Sequence, residues 1–283
     1  MIIQAENPYR VSNEDRTMHI GKTIRMERIF NRNTKKCIVV PMDHGVSVGP
    51  MAGLENMTKT VSEVAEGGAD AVLLHKGLIR CGHRKAGRDV GLIMHLSSST
   101  DLSPHPNRKT LTASVEDAMK HGADGVSIHV NLGDPDEASM LADFGKVVRD
   151  ASDWGMPVLA MVYGRGPKIA NSLDPKVIAH CARVGVELGA DVVKVLYTGD
   201  VDSFNYVVET CCVPVIIAGG PKMDTTRDFV KMVKDSITAG GAGLSVGRNI
   251  FQHPRPRLLS SALAGVVHEG LSVDEAMAIV GED

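Results

Sequence analysis

The chain has 283 residues, 43% of them hydrophobic and 23% charged, with a formal net charge of −3 at pH 7. That length is enough to bury a large core, and α/β barrels of about this size are commonly one domain. With no basic stripe, no block of like charges and no apolar run as long as a membrane span, neither nucleic acid nor a membrane is expected as a partner.

In chain order, residues 1–20 read as a short N-terminal extension and 21–283 as one barrel domain. The opening MIIQAENPYRVSNEDR has no apolar h-region and no cleavage signal, so a cytoplasmic protein is expected. GKTIRMERIF at 21–30 reads as a helix closing one face of the domain. Eight short runs then follow: CIVVPMD (37–43), DAVLLH (70–75), LIMHLS (92–97), GVSIHV (125–130), PVLAMV (157–162), DVVKVL (191–196), PVIIAG (214–219) and AGLSVG (242–247). They are rich in Val, Ile and Leu and lack clean alternation, as strands buried on both faces do in parallel sheets. Between most of them lies one amphipathic segment, such as ASVEDAMKHGA or DPKVIAHCARVGVELGA.

Four helix ends carry Gly68-Ala69-Asp70, Gly122-Ala123-Asp124, Gly189-Ala190-Asp191 and Gly241-Ala242-Gly243. Glycine there supplies a left-handed helix cap, and a buried strand follows at once. Eight β-α units without a break in composition predict a (β/α)8 TIM barrel. A doubly wound open sheet is the alternative, but no G-x-G-x-x-G follows the first strand. Segments 77–90 and 98–110 are long, polar and Gly/Pro-rich. The second would overhang the top of the barrel as a lid or substrate loop, or lie there as a plain surface loop. The five cysteines include no C-x-x-C pair, which fits reduced thiols rather than a disulfide framework.

In such a barrel, catalytic groups stand at the C-terminal ends of the strands. Those ends hold Asp43-His44-Gly45, His75-Lys76, His95, His129 and Asn131, Tyr163-Gly164-Arg165, Lys194, Gly219-Gly220 and Gly247-Arg248. Lys194 sits inside VVKVLY, with Val193 and Val195 on the opposite face. Desolvation favours a neutral amine, the form that attacks a carbonyl, so Lys194 reads as a Schiff-base nucleophile. Its alternative is a strand-end lysine whose ammonium reaches water or a carboxylate. Asp43 suits proton transfer or a substrate hydroxyl. Tyr163 suits general acid–base work, or else it is a core tyrosine with a paired hydroxyl. Arg165 would hold a second charged group or lie solvated. Glycines after strands seven and eight, with Arg248, suit a phosphate, or they simply make tight turns. The strand-end histidines with Asp43 allow a competing divalent-metal lyase, without an H-E-x-x-H to support it. A non-catalytic phosphate-binding barrel is a third class.

The motifs VPMDHGVSVGP (40–50), GGADAVLLHKG (67–77), SIHVNLGD (127–134), WGMPVLAMVYGRG (154–166), VVKVLYTGD (192–200), VIIAGGPK (215–222) and GRNIF (247–251) resemble the archaeal-type class I aldolase family, in order from about Gly21 to about His268. The resemblance implies Lys194 as Schiff-base lysine, Tyr163 as proton donor and Asp43 as proton acceptor. It implies substrate contacts from Asp43, His44, Gly45, Val46 and Ser47, from Tyr163, Gly164 and Arg165, and from Gly219, Gly220, Gly247 and Arg248, the last four around phosphate. It further implies no cofactor and no metal, phosphorylated ketose and small aldehyde substrates, and a homo-oligomer, often a decamer. Met161 stands where the family's fructose-bisphosphate aldolases carry tryptophan, which leans toward a synthase branch acting on L-aspartate 4-semialdehyde. Gly164 replaces a proline between tyrosine and arginine, which is expected to leave that loop freer.

Overall fold

Each of the eight Val/Ile/Leu-rich runs forms one strand: β1 (Cys37–Pro41), β2 (Ala71–Leu74), β3 (Gly91–His95), β4 (Gly125–Leu132), β5 (Val158–Gly164), β6 (Val192–Leu196), β7 (Val215–Ala218) and β8 (Gly243–Ser245). The structure is a computed structural model that describes residues 19–82 and 90–281. Residues 1–18, and with them nearly all of the expected N-terminal extension, lie outside the described residues, as does 83–89 of the polar 77–90 segment. Chain neighbours pair in parallel all the way round, and β8 returns to β1, so the sheet is a closed (β/α)8 barrel and not an open doubly wound one. Closure brings the chains close together. A Cβ on Gly243 would lie 1.9 Å from the Cys37 carbonyl oxygen, and its φ of +132 suits glycine alone.

Two-residue alternation sorts each strand between two cores. Val39, Leu73, Ile93, Leu159, Val192 and Ile216 fill the barrel's interior, while Val40, Val72, Leu92, Val126, Val193 and Ile217 pack against the surrounding helices. Lys194 shares the phase of Val192, so it faces inward. Towards the C-terminal ends the inward positions turn polar, with His95, Ser127, Asn131 and Lys194 all buried. Among the described residues no helix is long and apolar enough to cross a membrane.

The helix Ile20–Ile29 closes the N-terminal face as expected. Ile29 joins the interior core, Lys22 pairs with Asp191 at 3.0 Å and Arg28 with Asp124 at 2.6 Å. These pairs belong to a device that the Gly-Ala-Asp repeats did not reveal on their own. Each aspartate accepts a backbone N–H from the strand before it: Asp70 from Ile38 (2.7 Å), Asp124 from Leu92 (2.9 Å) and Asp191 from Val158 (2.9 Å). Each also receives a cationic or imidazole group, the third being His268 Nε2 on Asp70 at 3.0 Å. The glycines do their expected work at Gly68, Gly122 and Gly189, with φ of +99, +70 and +96. The fourth repeat differs. The left-handed residue is Gly240 (φ +92), and Gly241 is instead needed for space, since a Cβ there would lie 2.7 Å from the Ser236 carbonyl oxygen.

Asp124→Ala removes the acceptor of a buried strand N–H and one partner of Arg28. It is expected to cost about 2–3 kcal/mol in a denaturant titration, with strand-end chemistry at the other face of the barrel unaltered in the surviving fold.

Candidate active site

β6 places Lys194 between Met161 on β5 and Ile216 on β7, both its register partners. The ammonium is buried, and its one close polar neighbour among the described residues is a soft one, the Met161 Sδ at 4.0 Å. Burial lowers the pKa to about 8 from 10.5; Asp43 works against that fall and Arg165 adds to it. Near pH 7 roughly a tenth of the amine is therefore neutral, far more than for a free lysine.

Asp43 follows β1 and faces three imidazoles. His44 Nδ1 lies 3.6 Å from one carboxylate oxygen and His95 Nε2 3.8 Å from the other. Burial pushes the Asp43 carboxyl up, but His95, His44, Lys194 and His75 together hold it down to about 2. Burial drives His95 itself to about 4, so near pH 7 that ring is neutral. His95 is fixed by its Nδ1 on the Ser127 hydroxyl (2.7 Å) and by the His75 ring 5.2 Å away. Its buried side chain thus sets the wall against which Asp43 rests. Among the described residues, no three His, Cys, Asp or Glu side chains converge in a metal-ligand arrangement.

Tyr163 ends β5 beside Asn131 of β4 in register. Its ring meets His129 edge-on at 5.0 Å, and the Arg165 guanidinium lies 5.1 Å from its centroid. His129 is locked by its Nε2 on Asn131 Oδ1 at 2.9 Å. The Tyr163 hydroxyl bonds to no other group among the described residues, which disfavours the paired core tyrosine. Burial raises its pKa, Arg165 opposes that, and Asp43 adds to it, so it is a phenol at neutral pH and able to donate a proton. Gly164 does not free the loop. It lies within β5 opposite Leu132, Arg165 N–H donates to the Leu132 carbonyl at 2.9 Å, and a Cβ on Gly164 would meet Val177 at 2.5 Å. A side chain there would have to displace Val177.

The glycine loops of β7 and β8 are laced together. Arg248 Nη2 donates to the Gly220 carbonyl at 2.8 Å. Buried Asn249 donates to the Gly219 and Pro221 carbonyls at 3.3 and 3.2 Å and accepts the Met223 N–H at 2.7 Å. Sequence reasoning passed over Asn249, whose only signal was its place one residue beyond Arg248. A Cβ on Gly219 would fall 2.3 Å from Val246, so the two turns touch. After β1, Gly45 to Val48 make a single helical turn; Ser47 reaches the Ser99 carbonyl at 3.2 Å, and Val46 lies exposed at the rim. Segment 98–110 covers this side. Ser97–Ser98 pairs with Thr110–Leu111 at its base. From it comes Lys109, a cation near the site that no motif marked.

An inward lysine of low pKa on the sixth strand of a (β/α)8 barrel, near an ionised aspartate and in an interior shared with a tyrosine, is the architecture of an imine-forming aldolase. Residues 37–253 match the model of the DeoC/LacD family aldolases, and the chain belongs to that family. It is 42% identical over 265 residues to 2-amino-3,7-dideoxy-D-threo-hept-6-ulosonate synthase of Halobacterium salinarum, covering 92% of this chain and 97% of that protein. It is 37% identical over 261 residues to 2-amino-4,5-dihydroxy-6-oxo-7-(phosphonooxy)heptanoate synthase of Streptomyces griseus, covering 92% and 95%. An archaeal fructose-1,6-bisphosphate aldolase, solved with its catalytic lysine covalently bound to a carbinolamine intermediate, superposes with a TM-score of 0.78 at 32% identity, covering 87% of this chain and 99% of that one.

A Cβ on Gly247 would lie 2.5 Å from the Pro41 carbonyl oxygen and 2.7 Å from His44 Cε1, whereas one on Gly45 meets nothing within 4 Å. Gly247→Ala is therefore expected to lower the melting temperature by roughly 2–10 °C, and Gly45→Ala to leave it nearly unchanged, in paired thermal melts.

Proposed function

We propose that the protein is a metal-independent Schiff-base transaldolase that makes 2-amino-3,7-dideoxy-D-threo-hept-6-ulosonate from 6-deoxy-5-ketofructose 1-phosphate and L-aspartate 4-semialdehyde, in the alternative route to dehydroquinate and aromatic amino acids. The observation that carries the reading is Lys194, buried with a pKa near 8 in an interior it shares with Asp43 and Tyr163. The names of the relatives support it, since both describe seven-carbon amino keto acids with a six-position carbonyl.

In this mechanism the neutral Lys194 amine adds to the donor ketone that lies away from the phosphate. Loss of water gives an iminium, which draws in the electrons of the bond between its α carbon and the hydroxyl-bearing β carbon as that bond breaks. The hydroxyl proton passes to Asp43, and hydroxypyruvaldehyde phosphate leaves. The remaining three-carbon enamine attacks the aldehyde of L-aspartate 4-semialdehyde, and Tyr163 protonates the new alkoxide. Water then releases the product and restores the lysine, and the proton held by Asp43 returns to the Tyr163 phenolate, which closes the cycle. The iminium carries the positive charge that an electrophilic metal would otherwise supply. Backbone N–H groups of Gly219, Gly220 and Gly247, with Arg248, hold the phosphate. Met161 in place of the tryptophan of fructose-bisphosphate aldolases supports this branch. Exposed Ile20, Ile24 and Trp154 support the expected homo-oligomer.

A second reading, fructose 1,6-bisphosphate aldolase, is favoured by the likeness to the archaeal aldolase. One experiment separates them. The protein is incubated with 6-deoxy-5-ketofructose 1-phosphate, borohydride and a chelator, then peptide-mapped; a reduced adduct is expected on Lys194 and none in Lys194→Met. Without borohydride, adding L-aspartate 4-semialdehyde is expected to yield the seven-carbon amino keto acid. Cleavage of fructose 1,6-bisphosphate with no such product would select the second reading. Absence of any adduct from either sugar would sink both.

A further inference from the structure

A substrate pair that carries a phosphate on one partner and a carboxylate on the other presents two anions. The cradle of β7 and β8 accounts for one. Around the barrel from Lys194 in the other direction stand Arg165, after β5, and Lys109, from the segment after β3.

Lys109 is built into place. The Asp101 N–H donates to the Ser47 carbonyl at 2.9 Å, and Ser47 Oγ donates back to the Ser99 carbonyl. Asn131 Nδ2 donates to the Asn107 carbonyl at 2.6 Å. The segment is thereby anchored to the end of β1 on one side and to the His129–Tyr163 wall on the other. Between those anchors the Lys109 ammonium rests on Ser99 Oγ and donates to the Pro106 carbonyl at 3.2 Å. Its neighbour Arg108 has a carboxylate within reach, Asp136 at 3.9 Å, but Lys109 and Arg165 have none in ion-pair range among the described residues. Burial, then the like charge of Arg165, lower the Lys109 pKa, while Asp101 and Asp43 counter them only from a distance. Two cations held at the mouth of one site without a counter-ion repel each other, and a bound anion relieves that repulsion. The Arg165 guanidinium, fixed over the Tyr163 ring, presents the planar fork that suits a carboxylate.

We propose that Lys109 and Arg165 form a second anion subsite that binds the carboxylate of the acceptor aldehyde and sets the preference for an amino-acid semialdehyde over an uncharged one. The inference rests on the acceptor assigned under the proposed function. It makes Lys109 a substrate-binding residue delivered by the 98–110 segment, which then acts in acceptor selection as well as in covering the site.

The test compares wild type, Lys109→Met and Lys109→Arg with two acceptors, L-aspartate 4-semialdehyde and butanal, at fixed donor. In Lys109→Met the KM for the semialdehyde is expected to rise roughly 10- to 100-fold with kcat little changed. The kcat/KM for butanal is expected to stay within about twofold by the same argument, because no charge-assisted bond is lost. Lys109→Arg should recover most of the discrimination, and borohydride trapping of donor on Lys194 should be the same in all three proteins. Equal losses with both aldehydes, no loss with either, or weakened donor trapping would overturn the subsite. A wild-type enzyme that traps donor on Lys194 but ignores the semialdehyde would instead overturn the acceptor assignment beneath it.

Discussion

The site depends on one unfavourable act, the burial of a lysine ammonium inside a barrel with a single carboxylate to answer it. Desolvation alone would drive Lys194 far down, and a tight ion pair would return it towards the ordinary lysine range. Asp43 lies between these limits. It raises the Lys194 pKa through the field of its charge without a direct bond, so the amine settles near 8. Burial lowers the pKa of each imidazole around Asp43. A charged His95 would compete with Lys194 for the same carboxylate, and burial prevents this by lowering His95 to about 4. The surrounding positive charge keeps Asp43 ionised, and Asp43 in turn adds to the rise in the Tyr163 pKa, so a base and an acid stand beside an amine that loses its proton far more readily than a free lysine.

A site that works against its own burial needs a rigid frame, and the barrel supplies it from the opposite face. Asp70, Asp124 and Asp191 each tie the start of one strand to the strand before it, and each is met by His268, Arg28 or Lys22. These staples lie at the N-terminal ends, remote from Lys194, so stability and chemistry are divided between the two faces of the barrel. On the reactive face the frame is tightened by glycines that let neighbouring elements approach closely. Gly164, Gly219 and Gly247 all stand where a Cβ would strike a neighbour.

Much of this was legible in the sequence. The eight strands and the inward lysine follow from periodicity and burial, and the strand-end residues follow from the fold. The Gly-Ala-Asp repeats were read for their glycines, yet the aspartates do as much. Their partners are backbone groups 32 or 33 residues away, which a local pattern does not display. Gly164 was read as a source of freedom because sequence shows the missing proline and not Val177 above it. Lys109 carries no motif, and it comes near the site only because Ser47 and Asn131 pin its segment. Asn249 is similar, a side chain whose three bonds lace turns that sequence places about 30 residues apart.

The account stands most directly on the titration of one amine. Lysine-selective carbon and nitrogen NMR, with Lys194→Met to assign the resonance, gives the Lys194 pKa in wild type and in Asp43→Asn. The account predicts a value near 8 in wild type, and a lower one in Asp43→Asn because the only charge that raises it is gone. A wild-type value near the 10.5 of a free lysine, or a value in Asp43→Asn that stays put or rises, would contradict it.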